Sequence, residues 1–164
     1  MFHISGAILF SVTLSRDSSG NTGNFPTYHT LYEAAQATLD KDELLNFNIL
    51  GYYRSLEEQT DPVLLKELNL ELICADLHLL EHPIYEDYRL KKVDLKESVE
   101  KYAEFVRSWA ESSLISCLRQ DRTEDERMKI IEQFWIEFRN RIQVQGAETY
   151  KHNPYRSFIV LRKY

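Results

Sequence analysis

No apolar run in the 164-residue sequence approaches the ~20 residues that a membrane-crossing helix needs. Basic residues are outnumbered, with 20 Lys and Arg against 26 Asp and Glu, and no basic block interrupts the chain. The electrostatic footprint for nucleic acid or anionic lipid is therefore missing, and neither nucleic acid nor a membrane is an expected partner. Only two cysteines are present, Cys74 and Cys117, far apart and each inside an apolar stretch. Buried, inert core thiols are expected from that placement rather than a disulfide or a redox pair. The opening MFHISGAILFSVTLSR lacks a positive n-region and a well-formed cleavage site. No secretory signal is expected from it, and the cytoplasm is the expected location.

What is present is ordinary globular material, with 43% hydrophobic and 28% charged residues. The length suits a single domain over residues 1–164, since domains commonly run to roughly 100–200 residues. There is no internal repeat, low-complexity block or long linker.

Apolar residues run almost without a break from Ala7 to Leu14, the pattern of a strand covered on both faces. The turn formers DSSGNTGNFP follow as a loop. No Lys-Ser or Lys-Thr follows its glycines at phosphate-loop spacing. From Thr27, residues Tyr28, Leu31, Tyr32, Ala35 and Leu39 recur at helical spacing, predicting a helix that ends near Lys41. Ser55 with Glu58 forms a capping box, and Asp61-Pro62 is a second helix start, so short helices are predicted between Leu56 and Leu68. The segment NLELICADLHLLEHPIYEDY fits a strand from Leu70 to Leu80 and also fits a helix. Periodicity does not separate the two.

Two longer helices are predicted next. One runs from about residue 95 to 118, with a stripe of Val99, Tyr102, Val106 and Trp109. The other starts at Thr123, boxed with Glu126, and carries Ile131, Phe134, Trp135, Phe138 and Ile142 to about Gln143, with Gly146 marking its end. A last strand covers Arg156 to Lys163. The alternation of strands and helices predicts an α/β or α+β chain.

In that order and spacing the elements resemble the C-terminal half of a class I S-adenosylmethionine-dependent methyltransferase. ISGAILFSVTLSR is similar to the family's fifth strand, with His3-Ile4-Ser5-Gly6 in place of a turn that is usually richer in glycine. GYYRSLEEQTDPVLLKELNLELICADLHLL resembles the late helix running into the sixth strand, with Asn69-Leu70 where Gly-Phe is customary. SVEKYAEFVRSWAESSLISCL resembles the helical insertion over the acceptor pocket, and YRSFIVLRKY the closing antiparallel strand with its Arg162-Lys163 pair.

The resemblance implies a partial, Rossmann-like three-layer α/β fold of about three mixed strands with flanking helices, and it reads the ambiguous segment as strand. It also implies that the cofactor-binding parts, a glycine-rich turn and an acidic residue on the ribose, lie upstream of this chain. No cofactor is then expected on this chain alone, and S-adenosylmethionine is expected only where a partner chain supplies the other half. The implied function is the substrate-binding half of a small-molecule methyltransferase, inactive by itself. The alternative is a non-catalytic ligand-binding or protein-interaction module on the same scaffold. In the family's sheet the fourth strand flanks the fifth, so the edge strand from Ala7 to Leu14 is expected to pair with a second copy, giving a homodimer, or with a separately encoded N-terminal half.

HLLEH has the residue order of a metal-binding helix, which needs both histidines on one face, one turn apart. In a strand, His78 and His82 would stand roughly 13 Å apart at ~3.3 Å per residue. Pro83 also discourages a helical turn through His82. No metal site is expected, and the two are read as surface histidines at a strand end. His29 and Tyr32 on the first predicted helix, with Tyr102, Arg107 and Trp109 on the long one, are candidates for the lining of an acceptor pocket. His29 is read as a candidate general base or polar pocket residue by its residue type. Arg107 enters by analogy with a pocket-facing polar group. The aromatic stripes fit a packed core as well as an apolar pocket.

Overall fold

The computed structural model describes residues 6–23, 25–49 and 51–164. In chain order the elements are β1 (Ile8–Arg16), α1 (Phe25–Thr38), α2 (Lys41–Asn46), β2 (Arg54–Ser55), α3 (Leu56–Gln59), α4 (Pro62–Glu67) and β3 (Leu70–His78). They continue with α5 (Pro83–Arg89), α6 (Leu95–Cys117), α7 (Glu124–Gln145), a 3₁₀ turn (Ala147–Tyr150) and β4 (Arg156–Lys163). Contacts divide the chain into two compact units. One holds the described residues up to Gly23 with 52–80 and 152–164; the other holds those of 25–51 with 81–151.

The first unit is a mixed sheet of order β2-β1-β4-β3. Three long strands match the expected number, and β2 adds a parallel pair of residues, Arg54 and Ser55, against Ser15 and Arg16. β4 lies antiparallel between β1 and β3, the position that the resemblance implies for a closing strand. The ambiguous segment is β3, ending at His78 rather than Leu80.

Local chemistry explains the boundaries. Ser55 and Glu58 cap α3 reciprocally, and Asp61 accepts from Val63 and Leu64 at the start of α4 with Pro62 in its first turn. Asn69 stands at φ 53, the left-handed region, where the customary glycine meets no Cβ penalty and asparagine is tolerated. Gly23 has φ +83, and a Cβ there would lie 2.6 Å from Leu79 Cδ1, so only glycine fits that turn. Of the turn expected before β1, only Gly6 falls among the described residues; His3, Ile4 and Ser5 lie outside them.

β1 is not covered on both faces. Ile8, Phe10, Val12 and Leu14 share one face and are 49%, 79%, 55% and 49% exposed, and Leu9 on the other face is 44% exposed. A continuous apolar run reports avoidance of water on both faces of a strand. Within this unit the helical cover comes from short α3 and α4, and α3 reaches the sheet through Gln59, bonded to Thr13 and Ser157.

The second unit is helical. α7 buries Ile131, Phe134, Trp135, Phe138 and Ile142, the stripe read from sequence. Gly146 ends it at φ 84. α6 buries Val99, Tyr102 and Val106 as expected, but Ala103, Ala110 and Leu114 complete its stripe where Trp109 was expected. The first helix stops at Thr38, short of Lys41, because Asp40 caps a new helix, α2, through a box with Glu43. α1 buries Thr27, Thr30, Leu31, Ala34 and Ala35, so its inward face is made partly of small residues and leaves Tyr32 outside. Cys117 is buried as expected, whereas Cys74 is exposed on β3. It sits on the same sheet face as Phe10, across β4 at Val160.

Candidate functional site

The five residues expected to line a pocket all fall in the helical unit. Tyr102, from the middle of α6, is 3% exposed and stacks on Tyr150 with ring centroids 4.4 Å apart. Its hydroxyl shares a 2.6 Å hydrogen bond with Thr27 on α1, and the Tyr150 hydroxyl shares one of 2.9 Å with Ser98. Burial pushes the Tyr102 phenol up to about 12, which removes it from proton transfer near neutrality. Trp109 is half-buried and meets Tyr28 edge-on at 6.1 Å.

Arg107 forms a fork. Its Nε and one terminal nitrogen reach both Glu111 oxygens at 2.8 and 2.9 Å, and Glu132 accepts from it at 3.1 Å. The guanidinium lies over the Trp135 ring, 5.9 Å from its centroid, and its carboxylate partners raise its pKa further. His29 and Tyr32 lie on the exposed side of α1, with His29 stacked on Phe25 and 3.6 Å from Glu33. The structure thus brings Tyr102 and Trp109 to α1 through Thr27 and Tyr28, while it turns His29 and Tyr32 to solvent.

His82 is the residue that the sequence reading placed differently from the structure. It is 5% exposed and caps α5, accepting the Ile84 N–H at Nδ1. Its ring packs edge-on against Tyr102 and Phe105, with centroids 5.2 and 4.8 Å away. Pro83 starts α5 at a position where its missing N–H costs nothing, so the proline that discourages a helix through His82 instead begins one after it. His78 remains on β3, exposed, against Phe158. Among the described residues no cluster of three His, Cys, Asp or Glu side chains is arranged to hold a metal.

A second place in this unit has buried charge. Glu43 is fully buried, and its carboxylate accepts from Arg122 Nε at 2.6 Å, from Arg119 N at 3.0 Å and from Asp40 N. The Arg122 guanidinium holds the Glu43 carboxyl at about 2, well below the usual carboxylate range. Every partner is an internal one. The arrangement locks α2 to the turn between α6 and α7 rather than presenting charge to a ligand.

The sheet unit offers two open depressions. One, of about 400 Å³, runs along β1 at Ser11, Thr13 and Leu14 and is walled by Tyr52, Arg54 and Gln59. Around it, Gln59 joins Thr13, Ser15 and Ser157 in a chain of hydrogen bonds. Tyr52 donates to Glu58, which also pairs with Arg16. The other, of about 340 Å³, lies between α4 and β3 at Leu65, Lys66 and Leu72. Neither was singled out from sequence, because hydrogen-bonded Ser, Thr and Gln on a strand read as an ordinary solvated face.

The loop after β1 holds Gly20 and Gly23, the glycines nearest to a phosphate-binding pattern. Several of its N–H groups are engaged within the loop: Asp17 accepts from the backbone of Ser19 and Asn21, and Asn21 accepts from Gly23. These bonds hold the Asp17 carboxyl below its usual value.

No family model matches the chain, and no curated protein matches it. Among solved structures, a loganic acid methyltransferase with SAH is similar in fold, at a TM-score of 0.60 and 14% identity. The likeness covers 96% of this chain but only 42% of that one, so the chain spans less than half the length of the enzyme it resembles. No helix among the described residues is long and apolar enough to cross a membrane. The chain carries a mixed α/β fold similar to part of a methyltransferase.

Proposed function

We propose that this chain is the acceptor-side portion of a small-molecule, S-adenosylmethionine-dependent methyltransferase and is inactive alone. The observation that carries the reading is the fold likeness over 96% of the chain, to a protein more than twice its length that was solved with SAH. The glycine-rich cofactor turn is assigned to the complementary part of the fold, and the loop after β1, whose Ser19, Asn21 and Gly23 N–H groups bond to Asp17 and Asn21, does not stand in for it. The methyl group would come from S-adenosylmethionine held by the complementary part of the fold. This chain would orient the acceptor, because methyl transfer depends chiefly on alignment of the reacting atoms. His29 and Tyr32 keep the most surface for an acceptor and Trp109 keeps part of its ring, while Tyr102 and Arg107 would act by fixing the helices that carry them. A cytoplasmic setting suits the exposed, unpaired thiol of Cys74.

A second reading, an interaction module that uses the scaffold without its chemistry, draws on the exposed apolar face of β1. Titration calorimetry of the purified chain with S-adenosylmethionine tests the first. No binding is expected, and stoichiometric binding would overturn the assignment of the cofactor site to another segment. An adjacent reading frame for a glycine-rich first half would favour the split enzyme over the interaction module.

A further inference from the structure

His82 is a buried titratable side chain that the proposed function does not use. It is 5% exposed and caps α5, where its Nδ1 accepts the Ile84 N–H at 3.2 Å. The helices with oxygen caps, α2 at Asp40, α6 at Asp94 and α7 at Thr123, keep their acceptors from neutrality down to about pH 5. An imidazole accepts at Nδ1 only while it is neutral, because the charged ring carries a proton on both nitrogens. The cap therefore sets the charge of the ring and its tautomer, with the proton on Nε2.

Its surroundings within the helical unit suit a neutral ring. Tyr102 and Phe105 of α6 pack against it with centroids 5.2 and 4.8 Å away, and the Tyr102 hydroxyl is already bonded to Thr27. The other titratable groups on the elements that hold it are Tyr85 on α5, Glu81 before the cap, and Glu148, Tyr150 and Lys151 at the 3₁₀ turn. Glu81 pairs with Arg89 and Glu148 with Lys151, each at 3.6 Å, and Glu148 also accepts from the Tyr85 hydroxyl. Tyr150 bonds to Ser98. Both carboxylates thus have a cation of their own. The backbone at the cap is tied down as well, since His82 N donates to Lys151 O at 2.8 Å and His82 O accepts from Glu86 N at 3.0 Å.

We propose that His82 is a pH-sensitive latch on α5: the neutral ring closes the first turn of the helix against α6, and a proton on Nδ1 sets donor against the Ile84 N–H and releases that turn. Charging the ring in place removes the cap and puts a cation against aromatic carbon in a buried site. An opened first turn lets water reach the charged ring and carries neither cost. The open state therefore binds the proton more readily than the closed one, so acid draws the equilibrium toward opening and rising pH favours closure. Opening begins where an unperturbed histidine titrates, at roughly pH 6.5. It is confined to α5, because the oxygen-capped helices have no acceptor that is lost in that range. The latch would operate under either reading of the function.

NMR of the intact chain from about pH 8 to about pH 4 tests this without any substitution. At the alkaline end the ring nitrogen shifts of His82 should report the Nε2–H tautomer. On acidification the ring should take up its proton below the roughly 6.5 of a peptide histidine. Over the same interval the exchange protection of the Glu86 amide, which bonds to the His82 carbonyl, should fall at least tenfold, while amides in the middle of α7 keep theirs. His82→Asn leaves an uncharged acceptor at the cap and should abolish the pH-dependent fall. A ring that protonates at or above ~6.5, or that is still neutral at the acid end of the titration, overturns the latch. So does protonation that leaves the Glu86 amide protected, or a fall that persists unchanged in His82→Asn.

Discussion

The helical unit and the sheet unit solve the burial problem in different ways. In the helical unit Trp135, Phe138, Leu31 and Val106 are wholly enclosed, and Tyr102 and Glu43 enter the core paired with Thr27 and Arg122, while the Trp135 Nε1–H is buried without a hydrogen-bond partner. In the sheet unit, the apolar side chains from Ile8 to Leu14 on β1 stand 44% to 79% in solvent. Burial of a large apolar side chain stabilises by roughly 1.5–3 kcal/mol relative to exposure. The helical unit has collected that stabilisation within one chain, and on β1 much of it is still available to a partner.

The largest expected effect tests this directly. Trp135→Ala should destabilise the chain by about 3–5 kcal/mol in chemical denaturation, whereas Phe10→Ala, at a 79% exposed position, should cost under ~0.5 kcal/mol in dilute protein. Equal costs would break the comparison. Next comes Glu43→Ala, which takes the buried acceptor from Arg122 Nε and the Arg119 N–H and leaves Arg122 only Asp40, and should cost about 3 kcal/mol. Because the Glu43 carboxyl is held at about 2, its contribution is fully present above the ordinary carboxyl range and is lost as pH falls toward 2. Glu43→Gln should therefore flatten the stability profile between pH 5 and 2, and an unchanged acid limb would remove Glu43 from that account.

Tyr102→Phe should cost about 1 kcal/mol, since it leaves the Thr27 hydroxyl without its buried partner. A thermal melt of the variant checks it. The smallest effect concerns the two thiols. Cys74 should react with a disulfide reagent in the native chain, while Cys117, whose thiol burial pushes up to about 11, should react only on unfolding. Fast reaction of both in native buffer would contradict the enclosure of the helical unit.

Where a segment's own residues settle its conformation, the sequence was enough. The boxes Ser55–Glu58 and Thr123–Glu126, the stripe from Ile131 to Ile142, Gly146 as a terminator and the final strand at Arg156–Lys163 all appear where local chemistry puts them. Of the candidate site, the sequence supplied the residue types but not their company. His82 looked like a surface residue because two of its packing partners, Tyr102 and Phe105, are some 20 positions away in the chain. Arg107 looked available to a ligand until Glu132 from α7 closed on it.

Pattern and capping are local, and so the sequence alone determined the boxed helix starts, the stripe of α7 and the final strand, while it left Leu70–Leu80 open between helix and strand. Whether an apolar face meets a partner within the chain is not local. Only the tertiary structure decided that the stripe of α7 is enclosed, that β4 fills the place beside β1, and that the opposite edge of β1 keeps the N–H and C=O groups of Ile8, Phe10 and Val12 turned outward.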